Sequence, residues 1–292
     1  MDITGTDRYK IESTLGQGAS GIVYRAWDRE FNRHVAIKIA HKAGGHFIAE
    51  DRLVGNLVHK NIVTIYKVES MPDISYISME YINGPDLRKF CEKITLLKPQ
   101  MVIAIMIDVL KGLFYAHGKG FIHKNIKPSN IIINEKGIPM ITDFGIAQMA
   151  GKNLQPGSWG TPEYMSPEQL KGKEVTMQSD IFSLGCVLYE MLGGKSPFRA
   201  DNQYSVINQI INKNPETLGT AMPCREILDA IINKSLSKDP AGRYHRCSDF
   251  AFDLSKALGI INRQDQLKKA SILRSITDRV NVFKTIAAST RG

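Results

Sequence analysis

His123-Lys124-Asn125-Ile126-Lys127-Pro128-Ser129-Asn130, followed shortly by Asp143-Phe144-Gly145, is the stretch on which the reading of this chain turns. It lies where the character of the sequence has already changed. Upstream, turn residues separate short β-type segments at 9–15, 22–27, 35–40, 62–69 and 75–80, with one helix over about 46–58. Beyond Asn83-Gly84 the apolar residues take up helical spacing, at 86–94, 98–119, 179–192, 203–212, 225–236 and 247–258. The pattern predicts an α+β fold of two lobes, one small and sheet-rich, the other larger and mainly helical. They join at a hinge near residues 80–84 and meet at a cleft, where small-molecule sites usually form.

Composition narrows the function classes. The 292 residues are 43% hydrophobic and 23% charged, which suits two packed globular units and argues against disorder, collagen or a disulfide scaffold. Cys91, Cys186, Cys224 and Cys247 have no metal-ligand spacing and are read as reduced packing residues. The longest apolar run, 101–107, stops at Asp108, short of the ~18 residues that span a bilayer, and residues 1–10 lack a signal peptide's apolar stretch. The expectation is a cytoplasmic chain with no transmembrane span. The net charge is +9, but residues 262–292 supply +5 of it, and a nearly neutral body argues against a nucleic-acid partner.

Gly16-Gln17-Gly18-Ala19-Ser20-Gly21 fits G-x-G-x-x-G, in which missing side chains let backbone N–H groups approach phosphate. A dinucleotide-binding loop of this form opens a helix. Here β-branched residues continue at Ile22-Val23 and a further strand begins at Val35, so the loop is read as a hairpin tip. Val35-Ala36-Ile37-Lys38 then sets a lysine in mid-strand, either a solvated edge charge or a phosphate ligand. Glu50 on the following helix could hold Lys38 over the α and β phosphates of a nucleotide.

With these neighbours, the opening stretch resembles the eukaryotic-type (Hanks-type) serine/threonine protein kinases, in particular their bacterial branch. The likeness runs from about Tyr9 to Leu258 in the family's order, with Ser166-Pro167-Glu168 in place of Ala-Pro-Glu and Asp180 in Asp180-Ile181-Phe182-Ser183-Leu184-Gly185 as a buried helix anchor. It implies a bilobal protein kinase fold, with the N-lobe at 1–82, the C-lobe at 83–260 and an amphipathic basic C-terminal helix or linker at 261–292.

The resemblance also implies ATP and Mg²⁺ (or Mn²⁺) as cofactors, with Asn130 and Asp143 as hard-oxygen metal ligands. Lys38 and Glu50 would pair, Lys127 would neutralise the transferring γ-phosphate, and Gly16, Gly18 and Gly21 would cover the phosphates. Adenine would lie between Val23, Ala36 and Ile132 behind the gatekeeper Met79, bonded to the backbone from Glu80 to Ile82. Asp86 would meet the ribose hydroxyls or cap the helix that follows. Lys127 and Thr161 match the serine/threonine pattern, so the expected partner is a protein with a Ser or Thr acceptor, and Ser158 is the expected regulatory phosphosite. His123, Phe144, Val54 and Ile65 would stack as an apolar column through both lobes, and Glu168 and Arg243 would form a buried ion pair.

Two residues of the catalytic loop depart from the family. Lys124 replaces an arginine, keeping the charge but losing the planar fork that grips an activation-segment phosphate. Asn125 replaces the catalytic aspartate, and an amide cannot serve as a carboxylate base at neutral pH, so transfer should be severely impaired. With Lys38, Glu50, Lys127, Asn130 and Asp143 all present, an engineered Asp-to-Asn change is the preferred explanation. A natural pseudokinase acting as an ATP-binding signalling scaffold is the alternative. Antibiotic-type phosphotransferases share the fold but lack the Ser-Pro-Glu segment and its arginine partner. In the tail, Leu273, Ile276, Val280, Phe283 and Ala287 mark an amphipathic helix over 262–288 that would pack on its own lobe, connect a homodimer or lie on a membrane surface.

Overall fold

The computed structural model describes residues 7–18, 21–40, 57–70, 75–92, 94–144 and 162–267. Glu50, Val54, Ser158, Thr161, most of the helix expected at 46–58 and the tail beyond 267, with its dimer reading, lie outside them.

β1 (Tyr9–Gly18), β2 (Gly21–Asp28), β3 (Arg33–Ala40), β4 (Ile65–Ser70) and β5 (Ser75–Glu80) form an antiparallel five-stranded sheet in the order β1-β2-β3-β5-β4. Edge strand β1 is exposed from Glu12 onward, whereas Tyr76 to Met79 of the interior strand β5 are all buried. Alternation of side chains splits the sheet's apolar residues between its faces. Tyr9, Ala26, Val35, Ile37 and Tyr76 cluster on one, and Ala36, Val63 and Met79 on the other. The strand expected from residue 62 begins only at Ile65. Ile62 instead bridges Ile141 of the other lobe, Val63 N–H donates to the Ile141 carbonyl and Ile141 N–H to that of Asn61, each at 2.9 Å. That stretch ties the lobes together because its backbone groups are spent across the hinge rather than in the sheet.

The other lobe contains α1 (Pro99–Gly118), the short α2 (Pro167–Leu170), α3 (Met177–Gly193), α4 (Gln203–Asn212), α5 (Arg225–Ser235) and α6 over 247–267. α1 starts with proline at N1, where the missing N–H costs nothing. It is long and apolar enough to cross a membrane by length and composition, but Val102, Ile103, Met106, Val109, Leu110 and Leu113 pack it into the core. α3 is buried almost all round, as a central helix must be, and Gly194 ends it at φ 70°. The helix expected over 86–94 is a single 3-10 turn, Leu87–Phe90, closed by the Asp86 cap and by Cys91 N–H donating to the Arg88 carbonyl. The hairpin of β6 (Ile131–Ile133) and β7 (Pro139–Ile141) meets the hinge at Gly84, where an added Cβ would fall 1.8 Å from the Ile133 carbonyl oxygen. Cys91, Cys186 and Cys247 are buried thiols, Cys224 is partly exposed, and all are free.

Candidate active site

The loop at 123–130 is held from below by one carboxylate. Asp180 on α3 is fully buried, and its oxygens accept from the His123 N–H and the Lys124 N–H, each at 2.8 Å, with His117 Nε2 of α1 also at 2.8 Å. Lys124 takes a left-handed φ of 65°, which turns the chain over this anchor. The Asn125 N–H donates to His123 Nδ1 (3.2 Å), so His123 carries its proton on Nε2, which faces the Thr142 carbonyl at 2.8 Å. Burial pushes the His123 imidazole down, consistent with that neutral ring, although Asp180 opposes the shift. Its ring meets Phe144 edge-on at 4.5 Å. Two members of the expected column are therefore in contact, and Ile65 packs against the core of each lobe.

Asn130 is buried, and its Nδ2 donates to the Asn125 carbonyl (2.8 Å), which fixes Oδ1 as the free acceptor end, approached only by Ser129 Oγ at 3.3 Å among the described residues. The Asn130 carbonyl accepts from Thr142 N–H at 2.9 Å, so the residue before Asp143 is tied to the loop. Asp143 itself sits at φ 63°. Its Oδ2 lies 3.1 Å from Lys38 Nζ, and Lys38 is 2% exposed, so the lysine is no solvated edge charge. Glu50, the expected partner, lies outside the described residues. Burial pushes the Lys127 ammonium down, with Asp143 opposing and Lys38 adding to the effect.

On the sheet side, Gly18 pairs with Gly21 and Gly16 with Val23, so the glycine motif is indeed a hairpin tip, and Gly21 adopts φ 127°. Lys38 pairs with Val23 and Ile77, and Ala36 with Met79. Val23 and Ile82 pack on the Ala36–Val63–Met79 cluster, which gives one apolar wall, and Ile132 is bridged to Asp86 just past the hinge. The Glu80 N–H is committed to the Thr64 carbonyl at 2.8 Å. Asp86 acts as the cap: Oδ1 accepts the Arg88 N–H at 2.9 Å, and the Arg88 guanidinium closes on Oδ2 at 2.6 Å.

The far end of the segment after Asp143 is bolted to the helical lobe. Arg243 makes a two-pronged contact with Glu168 at 2.7 and 2.8 Å, both residues buried, and Ser179 Oγ donates to the same carboxylate at 2.6 Å. Burial pushes Glu168 up, but the Arg243 and Ser179 hydrogen bonds outweigh it and hold the carboxyl below the usual glutamate range. Nearby, Tyr164 donates to Glu190 at 2.6 Å, and burial pushes that glutamate up.

Residues 9–251 match the family described as Protein kinase domain. The chain belongs to the protein kinase family. This kinase domain is 34% identical over 263 residues to a probable serine/threonine-protein kinase of Clostridium perfringens, covering 86% of the chain and 38% of the relative. It is 35% identical over 272 residues to a probable serine/threonine-protein kinase PknB of Bifidobacterium longum, with 85% and 39% covered. It is 33% identical over 265 residues to the serine/threonine-protein kinase PknB of Mycobacterium leprae, with 85% and 43% covered. The chain thus spans about two fifths of the length of these relatives. Two contacts of the kinase domain escaped the sequence reading. His117 at Asp180 carries no local signal, whereas Gln169 was detectable as the last residue of a Ser-x-x-Gln capping box.

Proposed function

We propose that the chain binds ATP with Mg²⁺ (or Mn²⁺) between its lobes and is built to transfer the γ-phosphate to serine or threonine of a protein, with the transfer step impaired by Asn125. The observation that carries this reading is the approach of Lys38 and Asp143 from different lobes to 3.1 Å, beside an Asn130 whose Oδ1 is oriented by the bond from its own amide. The donor set fits a hard cation that keeps water and phosphate oxygens as further ligands: one carboxylate and one amide oxygen, with no cluster of three or more His, Cys, Asp or Glu suited to a metal among the described residues. Such an ion, when bound, neutralises charge on the phosphate oxygens.

The chain's own groups divide the remaining work. Lys38 would leave Asp143 for the α and β phosphates, Lys127 would face the γ-phosphate, and Gly16, Gly18 and Gly21 would cover them. Val23, Ala36 and Ile132 would sandwich adenine behind Met79. Any contact of Glu80 with the base rests on its carbonyl, since its N–H is used by Thr64. Asp86 would reach the ribose from its cap position. A protein acceptor is supported by the Glu168–Arg243 bolt, which stiffens a docking segment that small-molecule phosphotransferases do without. We place the domain in the cytoplasm, where ATP is supplied.

Asn125 can orient an acceptor hydroxyl but cannot take its proton at neutral pH. An engineered silencing fits a site otherwise intact, and the residue itself favours a second reading, a natural pseudokinase scaffold. Both readings require nucleotide. ATP with Mg²⁺ at a hundredfold excess over Kd should add ~2.7 kcal/mol of apparent stability in a thermal shift assay. No shift would sink both, whereas a shift without transfer after Asn125→Asp would leave the scaffold.

A further inference from the structure

We propose that Gln169 is a positioning residue for catalysis, the strut through which the acceptor-docking segment sets the orientation of residue 125; the inference rests on the kinase reading. Gln169 faces two ways. Its Oε1 accepts from the Ser166 N–H and the Ser166 hydroxyl, each at 3.0 Å, which completes the capping box of α2. Its Nε2 is thereby directed elsewhere, and donates at 2.8 Å to the carbonyl of Lys124.

That carbonyl belongs to the peptide unit that carries the Asn125 N–H. The unit is gripped at both ends: Gln169 holds the C=O and His123 Nδ1 holds the N–H at 3.2 Å. On one side, Lys124 is pinned to Asp180 in its left-handed turn. On the other, the Asn125 carbonyl is taken by Asn130. The plane of a peptide bond sets the direction of the next Cα–Cβ bond, so the bond from Gln169 helps to aim side chain 125 at the acceptor hydroxyl. Asp180 ties the loop to the lobe's core. Gln169 ties it to the Ser166-Pro167-Glu168 segment, and a shift of that segment would tilt the catalytic side chain. The usual capping-box residue at this place is Glu or Gln for the cap alone. At neutral pH only the amide can also donate to a carbonyl.

The test uses the whole chain and separates the cap from the strut. Gln169→Glu keeps an acceptor for Ser166 and sets a carboxylate oxygen against the Lys124 carbonyl, whereas Ser166→Ala removes the capping hydroxyl and leaves the strut. Amide hydrogen exchange over residues 123–130 should rise in Gln169→Glu by about tenfold, the equivalent of one lost hydrogen bond. It should stay unchanged in Ser166→Ala, whose melting temperature alone should drop. Unchanged exchange in Gln169→Glu, or an equal rise in both variants, overturns the strut. In the Asn125→Asp background, Gln169→Glu should lower kcat about tenfold with the KM for ATP unchanged. Its rate relative to the Gln169 parent should recover as pH falls and the substituted carboxyl regains an O–H donor. An Asn125→Asp parent that binds ATP but transfers no phosphate contradicts the kinase reading. An active parent whose kcat ignores Gln169→Glu overturns the positioning role alone.

Discussion

Asp180 beneath the 123–130 loop is fully buried and gathers backbone N–H groups from His123 and Lys124 as well as the His117 ring, while Gly16 and Gly18 across the cleft have nothing among the described residues within 4 Å of an added Cβ. The wall proposed to carry the chemistry is thus preorganised by charge-assisted hydrogen bonds. The wall proposed to cover the nucleotide lies at an exposed strand edge. Perturbing the first should cost stability, and perturbing the second should cost affinity.

The sharpest break is Glu168→Ala, which strands Arg243 in the core and should destabilise the domain by ~3–5 kcal/mol. Thermal denaturation measures it, and an unchanged midpoint would contradict the bolt. The same pair gives the helical lobe an acid sensitivity. Because the folded carboxyl lies below its unfolded value of ~4.3, its contribution is complete above that pH and is lost as pH falls through the folded pKa. Just past the hinge, Asp86→Ala removes a cap of ~1 kcal/mol. It should also weaken ATP binding, and Asp86→Asn, which still caps, should separate the two effects by calorimetry and titration. Gly18→Ala should be the mildest for stability, within ~0.5 kcal/mol, since no neighbour among the described residues meets the new methyl. It should nevertheless raise the Kd for ATP severalfold. A Gly18→Ala protein that melts early and binds normally would reverse the contrast between the two walls.

Much of this is legible in the sequence because the chemistry demands residue types in a fixed order. The hairpin nature of the glycine motif follows from β-branched residues at Ile22-Val23, and α4 begins and ends where its apolar spacing does. Non-local ties are not legible. Ile62 reads as strand by composition, yet the flanking Asn61 carbonyl and Val63 N–H are used by Ile141, and no local pattern reports such a pairing. The periodicity over 86–94 overstates a helix because among its apolar positions Ile94 is 96% exposed, so there is no continuous face to bury. α6 continues through Ile261, which is buried in the helical core, past the point at which the sequence reading begins its tail. At the site, the residue types of Lys38, Asn130 and Asp143 are readable, but the Lys38–Asp143 contact, the His117 ring on Asp180 and the Gln169 bond to Lys124 depend on three-dimensional approach alone.

The central claim is that an intact nucleotide site stands beside a single disabled position. It is tested most directly by measuring phosphate transfer from ATP to serine or threonine, in the chain as it stands and in Asn125→Asp, under identical Mg²⁺ and protein concentrations. Restoring the carboxylate should raise the rate by ~10²–10⁴ while leaving the affinity for ATP unchanged. Equal rates in the two proteins, with ATP still bound, would contradict it.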